Sequence, residues 1–123
     1  MAHIATPLET VLGMVKAERG RQAAKHGEQW HLPDGTGPGV DLDLDIRSSL
    51  NYGEAAEYAK ARCKAASQNE GGDGSITFEH ILTEEFFEAV AEDDKQALFR
   101  ELVQVAAVAT QWCEKLYREG VRP

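Results

Sequence analysis

The chain has 123 residues, of which 42% are hydrophobic and 28% charged, as in one ordinary globular domain spanning residues 1–123. Thirteen basic against twenty-one acidic residues give a net charge of −8, which argues against nucleic acid or an anionic membrane as partner. No run approaches the roughly 18 apolar residues of a membrane span, and no export signal is visible. Cys63 and Cys113 lack metal-type spacing and are expected to be reduced and buried, as in a cytoplasmic protein.

The first helix is predicted over residues 7–26. Thr6 can cap it, Pro7 suits its first position, and Glu9 completes a capping box. Apolar residues then recur at helical spacing, and Gly27 is expected to end the helix.

The end of this first helix is rich in basic residues. Phosphate groups need cationic donors, and Arg19 and Lys25 are the candidates chosen here for substrate binding. In the alternative interpretation these cations offset the helix dipole or pair with Glu18 or Glu28.

Residues 31–44 form a predicted loop dense in Gly, Pro and Asp. They lack the GK[ST] of a phosphate-binding loop. At its edge, Trp30 could stack on a base and His31 could donate to a ribose or phosphate oxygen. The alternative is that both side chains only pack the loop onto the rest of the protein.

A second helix is predicted from about residue 45 to 67, with Gly53 as an interruption. The glycine-rich stretch 69–75 should end it as a surface loop. No alternating stretch is long enough to predict a strand.

The third helix is predicted from Ile76 or Thr77 to Ala91. Asp93 with Gln96 resembles a capping box for the fourth helix, which should run to about Arg118 before a frayed tail. So short a turn makes the last two helices antiparallel neighbours. The fourth helix is apolar nearly all round, which indicates an oligomer or a bundle interior.

The last two helices carry the most informative pattern, EExxE followed by ExxQ. Residues three apart share a helical face, and Glu85 falls on the apolar side of the third helix. Carboxylates crowded in such a place must protonate, pair with Arg or Lys, or bind a cation, and oxygen ligands suit Mg²⁺. The alternatives are a solvated acidic face or pairing with Arg19, Lys95 or Arg100.

Glu84, Glu85 and Glu88, followed by Glu101 and Gln104, resemble the EExxE…ExxD signature of the all-α nucleoside triphosphate pyrophosphohydrolases, the MazG-like superfamily. The stretch of Gln29, Trp30, His31 and Pro33 is similar to a Gln-aromatic-His-x-Pro stretch of some members. Residues 34 to about 75 have no alignable counterpart, and Gln104 stands where the family has Asp.

The resemblance implies an all-α bundle of about four helices that forms homodimers or homotetramers. It also implies Mg²⁺-dependent hydrolysis, with Mn²⁺ as a substitute, of a nucleoside triphosphate to the monophosphate and pyrophosphate, including house-cleaning of non-canonical nucleotides. Carried over to this chain, the metal ligands are Glu85, Glu88, Glu101 and Gln104, while Glu84 would orient the attacking water. The alternative, favoured by the uncharged Gln104, is an inactive helical oligomer that binds a nucleotide or a protein.

Overall fold

The computed structural model describes residues 3–27, 30–42, 50–68 and 76–123. These ranges contain four helices: α1 (Pro7–His26), α2 (Tyr52–Ser67), α3 (Phe78–Val90) and α4 (Lys95–Arg118). The only β-type pairing within them is an isolated bridge between Asp41 and Asn51. The predicted all-α class with four helices is therefore confirmed, and none of these helices is long and apolar enough to cross a membrane.

The chain forms two compact units. Met1–Asp34 and Ala109–Pro123 make the first unit, which holds α1 and the end of α4. Gly35–Val108 makes the second, which holds α2, α3 and the start of α4. The predicted loop 69–75 and residues 43–44 of the predicted loop 31–44 lie outside the described residues.

Helix α1 begins and ends where the sequence predicts. The Thr6 hydroxyl accepts a hydrogen bond from the backbone N–H of Glu9 at 3.1 Å, and the N–H of Gly27 donates to the carbonyl of Ala23. Gly27 has φ +71°, a left-handed conformation that glycine adopts without a Cβ penalty. Of the side chains on α1, Val11 alone is buried.

Helix α2 begins later than predicted. Asn51 caps it through a reciprocal pair: the Asn51 side chain accepts from the Glu54 N–H at 2.8 Å, and the Glu54 carboxylate accepts from the Asn51 N–H at 3.1 Å. Leu50 is not helical, so the predicted start of α2 near residue 45 is wrong. Residues 43–49 lie outside the residues that the structure describes. The capping box satisfies two backbone donors at once, which fixes the boundary.

Helices α2 and α3 pack against each other. Ala55, Ala59 and Cys63 recur every fourth residue on α2 and are buried. Arg62, near the end of α2, donates to both carboxylate oxygens of Glu79 in the first turn of α3, and Thr83 donates to the same carboxylate at 2.8 Å. The end of α2 therefore lies beside the start of α3.

The segment from Gly37 to Leu42 joins the opposite ends of these two helices. The N–H of Gly37 donates to the carbonyl of Val90 at 2.8 Å, and the N–H of Gly53 donates to Pro38 at the same distance. A Cβ on Gly53 would lie 3.0 Å from the Pro38 carbonyl oxygen, closer than side chains normally approach. The glycine that seemed to interrupt α2 is the residue that lets this segment approach.

Helix α4 ends at Arg118, as predicted, but its cap is one residue later than predicted. Asp94, not Asp93, caps it by accepting from the N–H of Ala97 at 2.8 Å, because the helix starts one residue later than an Asp93–Gln96 box requires. At the other end, Gly120 donates to Tyr117, and Val121 donates to Leu116, the pair of bonds that defines a Schellman cap.

The C-terminal tail, which the sequence predicts to be frayed, contacts the last turn of α4. The Arg122 guanidinium lies 3.7 Å above the centre of the Tyr117 ring and donates to the Tyr117 carbonyl at 2.9 Å. Cation–π attraction and the hydrogen bond together hold the tail on the last turn of α4.

The two cysteines have different surroundings. Both are free; Cys63 is buried, as predicted, and Cys113 is exposed, so the prediction that both are buried is wrong for Cys113. Cys113 lies on an α4 face where other apolar residues are exposed too, including Phe99 at 72% and Val103 at 56%.

Candidate metal centre

Three glutamates meet where α3 approaches α4. Glu85 and Glu88 lie in the last two turns of α3, and Glu101 lies in the second turn of α4. The four residues between Val90 and Lys95 reverse the chain. The i, i+3 spacing of Glu85 and Glu88 directs both carboxylates to one side of α3.

The carboxylates are close enough to share one ligand. One oxygen from each of Glu85, Glu88 and Glu101 lies within 4.8 Å of the corresponding oxygens of the other two. All three residues are half-buried. One oxygen of Glu85 and one of Glu101 are buried without any hydrogen-bond partner, which is an unfavourable arrangement for a carboxylate unless a cation or a proton satisfies it.

Burial and the mutual repulsion of these groups raise the pKa values of two of them. Burial, followed by the nearby carboxylates of Glu84, Glu85 and Glu101, raises the pKa of Glu88 from 4.5 to about 7. Burial and then the charge of Glu101 raise the pKa of Glu85. The charged neighbours that contribute most to both shifts are carboxylates, as expected for glutamates crowded together.

Glu84 connects this cluster to α2. Burial raises the pKa of the Cys63 thiol to about 11, and a hydrogen bond from that thiol to Glu84 adds to the shift. A further hydrogen bond joins Glu84 to Glu88. Glu84 therefore lies beside the three clustered glutamates and is oriented by a buried residue of another helix.

The donor set fits a hard divalent cation. Mg²⁺ binds oxygen ligands at about 2.0–2.1 Å in octahedral geometry, so two opposite ligand oxygens are about 4.2 Å apart. At most one pair among three ligands can lie opposite each other, and adjacent ligand oxygens are about 2.9 Å apart. The carboxylate oxygens, which lie within 4.8 Å of one another, would therefore move closer together on binding the ion. Retained waters or substrate phosphates would fill the remaining positions, as Mg²⁺ usually requires.

The predicted site residues fall into two groups. Glu84, Glu85, Glu88 and Glu101 come together, whereas Gln104, three residues beyond Glu101 on α4, has an exposed side chain. The predicted substrate-binding residues Arg19, Lys25, Trp30 and His31 belong to the other compact unit, and all four are exposed. Arg19 donates to Gln22 at 2.9 Å, and Trp30 is 80% exposed.

The sequence interpretation missed the contacts that Cys63 and Arg62 make with the third helix. Cys63 touches the first glutamate of the motif, and Arg62 fixes the start of the helix that carries it. The four-residue spacing of Ala55, Ala59 and Cys63 was the available signal, because it marks the buried face of α2. A search of protein-family models, of curated proteins and of solved structures finds no match to this chain.

Proposed function

We propose that the protein is a Mg²⁺-dependent nucleoside triphosphate pyrophosphohydrolase, releasing the monophosphate and pyrophosphate. The observation that supports this proposal is the glutamate cluster with two buried, unpartnered carboxylate oxygens. A polyanionic substrate would be repelled by such a cluster alone, and an ion with free coordination positions makes the two compatible. The EExxE…ExxQ pattern of the same residues supports the reaction class by its resemblance to the MazG-like superfamily.

In this proposal Glu85, Glu88 and Glu101 hold the cation. A bound divalent ion supplies charge neutralisation for the triphosphate and lowers the pKa of an attacking water. Water attack on the α-phosphorus breaks the bond to the bridging oxygen, and pyrophosphate leaves. Glu84 lies next to the ligands and is hydrogen-bonded to Cys63 and Glu88. We therefore propose that Glu84 orients Glu88 and the attacking water.

Four exposed residues supply the substrate contacts in this proposal. Arg19 and Lys25 would bind phosphate oxygens, Trp30 would stack on the base, and His31 would donate to the ribose or a phosphate. Mn²⁺ would replace Mg²⁺, and the substrates would include non-canonical nucleotides. We further propose a homodimer or homotetramer located in the cytoplasm, in agreement with two free cysteines.

Hydrolysis measured against a panel of nucleotides tests the assignment. Purified protein would be incubated with canonical and damaged nucleoside triphosphates in Mg²⁺, in Mn²⁺ and in EDTA, and the products would be separated by ion exchange. We expect monophosphate and pyrophosphate in equal amounts, only with metal present. Glu101→Gln should abolish turnover, while the matched change Glu57→Gln on the exposed side of α2 should leave it intact. Release of inorganic phosphate instead of pyrophosphate would refute the reaction class.

The second candidate function is a non-catalytic binding module, and Gln104 is the residue that favours it. Its amide oxygen can ligate a metal, but it brings no charge. If the panel shows no turnover while isothermal titration detects nucleotide binding, the binding module is the correct assignment. Gln104→Asp separates the two cases further, because restoring a fourth carboxylate should create or raise turnover only where the other catalytic groups are in place.

A further inference from the structure

Helix α3 is attached to α2 on both sides of its motif glutamates. At the start of α3, the Arg62 guanidinium of α2 donates to the Glu79 carboxylate, at 2.6 Å for one of its two hydrogen bonds. At the end of α3, the Val90 carbonyl accepts from the N–H of Gly37 at 2.8 Å, and the segment that begins at Gly37 also hydrogen-bonds to Gly53 in α2. The part of α3 that carries the motif is therefore held along α2.

One side chain of α2, that of Cys63, contacts the motif between these two attachments. Cys63 is 8% exposed and lies on the buried face that Ala55 and Ala59 also form. Its thiol hydrogen-bonds to Glu84, and Glu84 hydrogen-bonds to Glu88. Two successive hydrogen bonds therefore connect a buried residue of α2 to a proposed metal ligand on α3.

The Cys63 thiol can act only as a hydrogen-bond donor at neutral pH. Burial raises its pKa to about 11, and the hydrogen bond to Glu84 adds to the shift. The thiolate is the form of cysteine that attacks electrophiles and binds metals, so a thiol that stays protonated is suited to neither role. A protonated thiol still donates to a carboxylate oxygen.

Given the metal-dependent function proposed for this protein, we propose that Cys63 is a positioning residue of the metal centre, whose thiol fixes Glu84, which in turn holds Glu88 in the orientation that binds the ion. Glu88 differs in this respect from Glu85 and Glu101, each of which has a buried oxygen without a hydrogen-bond partner. Groups that orient metal ligands through hydrogen bonds typically change metal affinity or activity about 10–100-fold when they are removed.

The alternative role for a small buried residue between two helices is packing alone. Cys63→Ser keeps a hydrogen-bond donor at this position, whereas Cys63→Ala removes it. Ala55→Gly is the matched packing control, because it removes a methyl group from the same buried face two turns away. It should lower the Tm without changing the affinity for Mg²⁺.

Isothermal titration with Mg²⁺, together with steady-state hydrolysis, separates the two roles. We expect Cys63→Ala to weaken Mg²⁺ binding and to lower kcat, each about tenfold, while Cys63→Ser keeps most of both. In a Glu84→Gln background, Cys63→Ala should cause no further loss of Mg²⁺ affinity, because Cys63 acts through Glu84. Cys63→Val, which also lacks a donor but fills more of the space, takes the place of Cys63→Ala if that variant does not fold.

Three results would overturn the positioning role of Cys63. They are equal losses of Mg²⁺ affinity in Cys63→Ala and Cys63→Ser, equal losses in Cys63→Ala and Ala55→Gly, and a further loss in the Glu84→Gln background. The titration needs no turnover, so a wild type that binds Mg²⁺ but hydrolyses no triphosphate refutes the proposed function while the affinities still decide the role of Cys63. A wild type that binds no Mg²⁺ overturns both.

Discussion

Replacing Glu88 by glutamine should change stability in opposite directions with and without metal. In the metal-free protein the Glu88 carboxylate is repelled by Glu84, Glu85 and Glu101 and is partly desolvated. Glutamine keeps the shape of the side chain but cannot ionise. We therefore expect Glu88→Gln to stabilise the metal-free protein at pH 8 and to remove its response to Mg²⁺.

The size of the effect follows from the shift in the pKa of Glu88, from 4.5 to about 7. One pKa unit corresponds to about 1.4 kcal/mol, so the full shift represents at most about 3.5 kcal/mol. Glu88 is half-buried, and solvent screening reduces this to about 1–2 kcal/mol. For a chain of this size that corresponds to a rise in Tm of about 4–8 °C.

The pH dependence of the wild type has a defined sign. Folding raises the pKa of Glu88, so the folded protein holds that proton more tightly than the unfolded chain does. The resulting stability is complete below pH 4.5 and is lost as the pH rises through about 7. The Tm of the metal-free wild type should therefore fall more between pH 5 and pH 8 than the Tm of Glu88→Gln.

Thermal melts followed by circular dichroism would measure these effects in EDTA and in 10 mM Mg²⁺. Mg²⁺ should raise the Tm of the wild type at pH 8, because a ligand that binds only the folded state stabilises it, and should leave Glu88→Gln unchanged. Glu57→Gln is the control, because it removes one exposed carboxylate outside the cluster. If Glu88→Gln lowers the Tm in EDTA at pH 8, or if Mg²⁺ still stabilises it, the crowded-carboxylate interpretation is incorrect.

Three further predictions concern single positions. Gln104→Asp should tighten Mg²⁺ binding several-fold by adding a fourth negative charge, and isothermal titration that shows no change would place residue 104 outside the metal centre. The Arg62 guanidinium, through its hydrogen bonds, lowers the pKa of Glu79 to about 2. This pair therefore contributes stability above pH 4.5 that is lost as the pH falls through about 2. In Arg62→Ala that contribution is absent, so the Tm measured over this pH range should fall less than in the wild type. Gly53→Ala should destabilise the protein by about 1–2 kcal/mol because its Cβ would crowd the Pro38 carbonyl. Gly20→Ala in α1, with nothing within 4 Å of the added carbon, should stabilise the protein by about 0.5–1 kcal/mol. Urea titrations in which both variants change the free energy of unfolding in the same direction would contradict this distinction.

Helix boundaries were predictable where one local signal dominates. Thr6 and Gly27 fixed α1 because a capping hydroxyl and a left-handed glycine act within a few residues. The start of α2 was mispredicted because the helical pattern was extended upstream through Leu50, past the better cap Asn51. At α4 two adjacent aspartates compete for one position, and the sequence does not say which of Asp93 and Asp94 is the cap.

The glutamate cluster was predictable because its geometry is local to two helices and a short turn. Helical spacing places Glu85 and Glu88 together, and the turn brings Glu101 back to them. The link from Cys63 to Glu84 was not predictable, since it depends on which face of α2 meets α3. That Gln104 belongs to the metal centre remains a prediction, because it depends on the direction in which this exposed amide points when metal is bound.

The exposure of Cys113 shows a different limit of sequence reasoning. Its neighbours on α4 are apolar, so burial was the natural expectation. A hydrophobic residue is buried only when some surface is available to cover it, and the residues that the structure describes leave Cys113 uncovered.

The hydrogen bond from the Gly37 amide to Val90 has a practical consequence for following the metal centre. Val90 ends α3 two residues beyond Glu88, so rearrangement of the cluster that shifts this helix end will alter the bond. Glycine amide resonances are well separated in nitrogen–proton correlation spectra. The exchange rate and chemical shift of this single backbone proton would therefore register ion loading from a distant point in the sequence, with no probe attached near the carboxylates.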